Sequence, residues 1–229
     1  MNPRIISPGC KVRKQPGTGL WTAGARLLAG LAIVALAACS RGRDVVLGPG
    51  VMAPDAPVQT AAPERVRVRA GHRLRTRAGF SITAKLLSKR RYRWDEMAAV
   101  VPWDFALAWG AMSDEALLDG TRLAQGDRRM FWHLYDVPLP LALIERASAN
   151  VHLIPASTAI EEQLARVPTG AVVTLRGELV DLFFPDGRVI PTSVSRRDRG
   201  DGACEILFVR EVRYGSEGGE KSTAADLRP

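Results

Sequence analysis

Cysteine is scarce in this chain, with three in 229 residues, at positions 10, 39 and 204. Acidic residues are missing altogether from the first 38 positions, which carry Arg4, Lys11, Arg13, Lys14 and Arg26. A membrane-spanning apolar run is missing there too. Leu27 to Ala38 is 12 residues, whereas a spanning helix needs about 20. That length excludes an ordinary membrane span. A basic lead, a short apolar run and small residues at its end read instead as a secretory signal.

The charge must be apportioned before it is interpreted. The whole chain is +8, but its first 38 residues contribute +5. The remaining 191 residues hold 27 basic and 24 acidic side chains, close to +3. A nucleic-acid protein concentrates a strong basic excess in the domain itself, so no nucleic-acid partner is expected. A chain of this length suffices for one domain with a real core.

The run closes on Leu36-Ala37-Ala38-Cys39, which resembles a lipobox, the cleavage motif of bacterial lipoproteins. Small side chains at 37 and 38 let a peptidase approach the backbone, and the thiol is the nucleophile for diacylglycerol transfer. The resemblance implies that Cys39 is lipidated and becomes the mature N-terminus. Ser40 follows it where aspartate does not. By similarity to lipoprotein sorting this implies a lipid-anchored, periplasmic-face protein of the outer membrane, partnered by the membrane and by another envelope protein. Cys10 leaves with the signal at 1–38. Cys204 then stands alone and can form no intramolecular disulfide.

Residues 39–63 join the lipidated cysteine to a stretch rich in Gly, Pro and Ala, including Gly48-Pro49-Gly50 and Ala62-Pro63. It has no apolar period and reads as a flexible linker. Residues 215–229 have the composition of a disordered tail. A globular domain is expected at 64–214. Within it, period-two patterns predict strands at 64–69 and 79–91, and Trp103 to Trp109 reads as a buried apolar run. Ser113 is expected to cap a short helix whose first turn carries acids. Arg129 to Tyr135 and Val151 to Pro155 read as strands, and helices are expected from Pro140 and over 158–167. Ala171 to Phe184 reads as a long strand broken at Gly177. It turns at Pro185-Asp186-Gly187, returns over 188–195 and is followed by a strand from Cys204 to Tyr214. These three predict an antiparallel meander. The fold class is α+β: a small curled antiparallel sheet, suited to a partly open barrel, with short helices.

Candidate sites are of three kinds. Trp109-Gly110-Ala111-Met112-Ser113-Asp114 offers Trp109 as a stacking surface and Asp114 as a polar ligand group, against a plainer reading of core packing and helix capping. Arg196, Asp198 and their polar neighbours up to Glu205 form the other binding candidate, against a tight turn. The spacing is not that of a calcium loop, and no metal site or cofactor is expected. Cys204 with His133 or His152 would supply a thiol nucleophile and a base. A strand phase shared with Ile206 and Phe208 argues instead for a buried, inert thiol.

Trp109-Gly110-x-Met112-Ser113-Asp114, Asn150-Val151-His152-Leu153-Ile154-Pro155, Val173-x-Leu175-Arg176-Gly177 and Ser195-Arg196-x-Asp198 with Gly202-Ala203-Cys204-Glu205 together resemble an uncharacterised family of bacterial envelope proteins over about 79–210. That resemblance implies no activity. The expected function is a membrane-anchored binding or assembly module, with a thiol-dependent or hydrolytic enzyme using Cys204 and a histidine as the alternative. Lipidation is directly testable. Cys39→Ser should abolish palmitate labelling and detergent-phase partitioning, and unchanged labelling would refute the lipobox reading.

Overall fold

A computed structural model describes residues 4–6, 44–135, 138–195 and 204–215. Strand β1 is Arg4–Ile6, β2 Val58–Thr60, β3 Val66–Arg69 and β4 His72–Arg91. After β5 (Trp103–Ala108) come a 3-10 turn at Gly110–Ser113 and α1 (Glu115–Leu118). Then follow β6 (Thr121–Gly126), β7 (Arg129–Leu134), α2 (Leu141–Arg146), β8 (Ser148–Pro155) and α3 (Thr158–Arg166). The last elements are β9 (Val172–Phe183), β10 (Val189–Ile190) and β11 (Ile206–Gly215). The fold is α+β and mostly β.

The long strand β4 organises it. Its side chains alternate buried and exposed from His72 to Ala84, as a period-two pattern requires. Ala70 and Gly71 sit at φ +47 and +78 between β3 and β4, the two left-handed positions of a tight hairpin turn. One edge of β4 takes β3, β2 and β5, and the other takes β9. The sheet therefore returns on itself through β4, β5, β8, β11 and β9. Counted in chain order, the third and fifth of these strands, β8 and β11, run parallel, and α3 lies between the third and fourth, β8 and β9. That is the connectivity of an OB-type Greek-key barrel. The ring is not a regular barrel, because its register shifts at Thr76/Ala78, Leu86/Ser88 and Val209/Glu211.

Phe80, Ile82, Leu86, Phe105, Leu153, Leu175 and Leu207 are among the residues that fill the ring's interior. A second cluster, including Leu74, Val100, Ile154, Leu182 and Phe208, forms an outer layer. The β6–β7 hairpin and α2 pack Met130, Trp132 and Ile144 against Ala106 and Ala108 on the outer face of β5. β11 is consequently buried on both faces, with Ile206 and Phe208 outside and Leu207 and Val209 inside.

Three expectations change. The last three strands are not a meander, because β11 pairs with β9 itself, along the same edge that carries β10, and is flanked on its other side by β8. The helix at 115 is capped by Asp114, whose side chain accepts from the Ala116 amide, and not by Ser113. The linker expectation fails from Asp44 onward. Val45 donates to the Thr169 carbonyl at 2.8 Å, Gly50 to Asp114 at 2.9 Å and Ala53 to the Ser113 hydroxyl at 3.0 Å. Ala53 is buried in the main core. These polar partners meet the strap's backbone donors without any periodic side-chain pattern.

Gly177 is required by contact. A Cβ there would run into the Phe208 carbonyl of the neighbouring strand, next to the Val209/Glu211 register shift. Gly177→Ala should therefore destabilise the fold by about 2–3 kcal/mol, the scale of overpacking against backbone. A urea midpoint unchanged from the parent would refute this account.

Candidate functional site

Asp104 on β5 and His152 on β8 occupy paired positions, so both side chains lie on the outer face of the ring. Both are buried. His152 Nδ1 lies 2.8 Å from Asp104 Oδ1. Arg128 donates to the same oxygen at 3.1 Å, and the Asn150 amide donates to Oδ2 at 3.2 Å. Burial opposes the charged form of Asp104, but His152 and Arg128 outweigh it and hold the carboxyl below its ordinary range.

Arg128 joins this buried pair to the loop between β4 and β5. It holds both oxygens of Asp95, at 3.0 and 2.7 Å, and donates to the Val101 carbonyl at 2.8 Å. Its guanidinium stacks on Tyr92, 3.7 Å from the ring centre. The reach has a backbone cost: Asp127 and Arg128 take φ +49 and +61, where residues with a Cβ are uncommon. Burial and the nearby Asp104 charge push the Tyr92 phenol up to about 12.

The loop so anchored walls an open cleft of about 560 Å³. Arg69, Arg91, Arg93, Trp94, Ala98 and Pro102 line it, with Asp95 and Glu161 among the remaining lining residues. Arg91 is fixed from two sides. Glu161 of α3 accepts from it at 2.9 Å, and its guanidinium lies over Trp103. Arg69 reaches the Ala156 carbonyl at 3.4 Å. Arg93 and Trp94 have no partner among the described residues, and Trp94 is 94% exposed. The other described tryptophans, Trp103, Trp109 and Trp132, are buried. Across the loop, Arg188 ties Asp186 to Glu96, with bonds to Glu96 of 3.1 and 2.9 Å.

The residues singled out in the sequence are distributed differently. Trp109 is buried in the core, and Asp114 holds the Gly50 amide and caps α1. Cys204 is buried. It lies two residues before β11, whose first residue, Ile206, pairs with His152. His133 is on β7 in the smaller sheet, opposite Arg122 and Ile5, and does not join them. Cys39, Arg196 and Asp198 lie outside the described residues. The cleft residues were not singled out. Their one local signal is the run Arg90-Arg91-Tyr92-Arg93-Trp94, cations interleaved with aromatics.

Asp104→Asn should lower stability by about 1.5–3 kcal/mol near neutral pH, because Arg128 and His152 lose a buried charged acceptor, while Asp95 still pairs the guanidinium. The parent's folded-state carboxyl is held below the unfolded value near 3.9. Its contribution is therefore complete above that value and lost as pH falls through the folded one. The gap between parent and variant in urea denaturation should narrow below about pH 4. A gap independent of pH would refute the assignment.

No family model, curated protein or solved structure matches this chain.

Proposed function

We propose that this chain is a bacterial envelope lipoprotein, held by an acylated Cys39 at the periplasmic face of the outer membrane. It acts there as a binding or assembly module, and the arginine cleft is its ligand site. The lipobox-like run supports the anchoring. The observation that carries the binding reading is an Arg93 with no partner among the described residues beside a fully presented Trp94, on an otherwise well-bonded loop. An exposed indole beside such a guanidinium gains from being covered, since both offer contact area and hydrogen-bond donors.

The thiol-enzyme alternative has one supporting feature, the Asp104–His152 contact, with Cys204 just before the strand that pairs with His152. In a nucleophilic triad a carboxylate orients the base in this way. But Cys204 is 3% exposed and His152 2%, and a nucleophile must be reached by its substrate. Binding at the open cleft is the better supported activity.

Acrylamide quenching tests it. The quencher is neutral, so it reads exposure without bias from the arginines. The component of quenching lost in Trp94→Phe belongs to Trp94. A solubilised envelope fraction should shield that component in the parent and not in Arg93→Ala. Absence of shielding by any envelope fraction would refute the binding reading. Rapid native maleimide labelling of Cys204, with loss of a hydrolytic activity in Cys204→Ser, would install the enzyme reading in its place.

A further inference from the structure

Resting on the cleft as the ligand site, we propose that its occupant is an acidic oligosaccharide, a sugar chain bearing spaced carboxylate or phosphate groups. The cleft's chemistry is mixed in a particular way. Arg69, Arg91 and Arg93 offer planar forks that match a carboxylate or a phosphate oxygen pair. Arg91 is already oriented by Glu161 and Trp103, so its fork is pre-positioned. Arg93 has no carboxylate partner among the described residues and carries the uncommitted charge.

Between these cations stand acceptors. Asp95 and Glu161 line the same cleft. A carboxylate accepts at about four sites: Asp95 spends three of them on Arg128 and the Met97 amide, whereas Glu161 spends one on Arg91 and keeps the larger reserve. Hydroxyl groups are the donors that such acceptors suit. A ligand with both acid groups and many hydroxyls uses every polar group of the cleft. A ligand with acid groups alone is repelled by Asp95 and Glu161, two of the cleft's five charged groups.

Trp94 supplies the remaining element, a single broad apolar plate at the mouth. One plate covers one ring face, here the C–H face of a pyranose, with Ala98 and Pro102 as the other apolar lining. Single-stranded nucleic acid asks for something else, a continuous cationic track and successive aromatic plates. Tyr92 also lines the cleft, but its ring already carries Arg128 and Arg90, so Trp94 is the one open plate, and carboxylates stand between the cations. The charge of the chain beyond residue 38, close to +3, does not extend the track. A short acidic peptide would use the arginines but leave Asp95 and Glu161 facing its own carboxylates.

The test uses the full chain and the Trp94 component of acrylamide quenching. The probes are an oligogalacturonate, a phosphomannan oligosaccharide, a neutral galactan oligosaccharide, oligo-dT and a poly-glutamate peptide. Shielding by either acidic sugar, with the neutral sugar at least tenfold weaker, is the expected result. Arg93→Ala should weaken the acidic sugar about tenfold, the loss of one charge-assisted contact. Trp94→Ala should weaken both acidic and neutral sugars, read by calorimetry because the fluorophore is gone.

Failure of both acidic sugars to shield Trp94 overturns the ligand class. Equal or tighter shielding by oligo-dT or poly-glutamate also overturns it, while leaving the cleft as a binding site. Binding that persists unchanged in Arg93→Ala and Trp94→Ala places the ligand elsewhere and overturns the site. An envelope fraction that shields Trp94 when neither sugar does separates failure of the ligand class from failure of the binding reading.

Discussion

A carboxylate buried at Asp104 must be met by donors or the fold cannot hold it, since an unpaired buried charge costs several kcal/mol. Three donors converge on it, and one of them, Arg128, has to come from the tip of the β6–β7 hairpin. Much else follows from that reach. The hairpin turn adopts two left-handed residues to deliver the guanidinium. The same guanidinium then grips Asp95, Val101 and Tyr92, so the loop from 92 to 102 is held by the group that neutralises β5. The cleft wall is thus set by a buried charge on the far side of the loop.

The network also explains why the outer face of β5 and β8 is closed. In an open Greek-key ring that face is a natural surface for ligands. Here the aliphatic part of the loop covers Ile154 and Ile206, and the hairpin covers Ala106 and Ala108. What remains open is the edge of the cover, where Arg91, Arg93 and Trp94 emerge. Burial of Asp104 and His152 and exposure of Trp94 are two sides of one arrangement.

Local features were legible in the sequence and long-range ones were not. The alternation of β9 and β11, the Pro185-Asp186-Gly187 turn and the buried run over β5 each state themselves within a dozen residues. Helix α3 does likewise, with Ser157 accepting from the Ile160 amide at its start. Arg128 could not be read, because Asp95, Asp104 and Asn150 lie 22 to 33 residues away in the chain. The strap from Asp44 misled for a related reason. Its Pro and Gly content removes any apolar period, yet its amides find Ser113, Asp114 and Thr169 at separations of 61 to 125 residues. Strand order was hidden too, since nothing in the pattern of β11 says that it pairs with β9 and β8 and not with β10.

The placement of β11 has a kinetic consequence. It stands between β8 and β9, one neighbour parallel and the other antiparallel, and it is the last described strand of the chain. Until its residues are available, β8 and β9 each keep a bare edge and the interior apolar side chains face solvent. Neither β5 nor β4 can substitute, because each already has both neighbours it will use. Ring closure is therefore a late, non-local event of the kind that slows folding. A ring built in this order stays open until β11 arrives between β8 and β9.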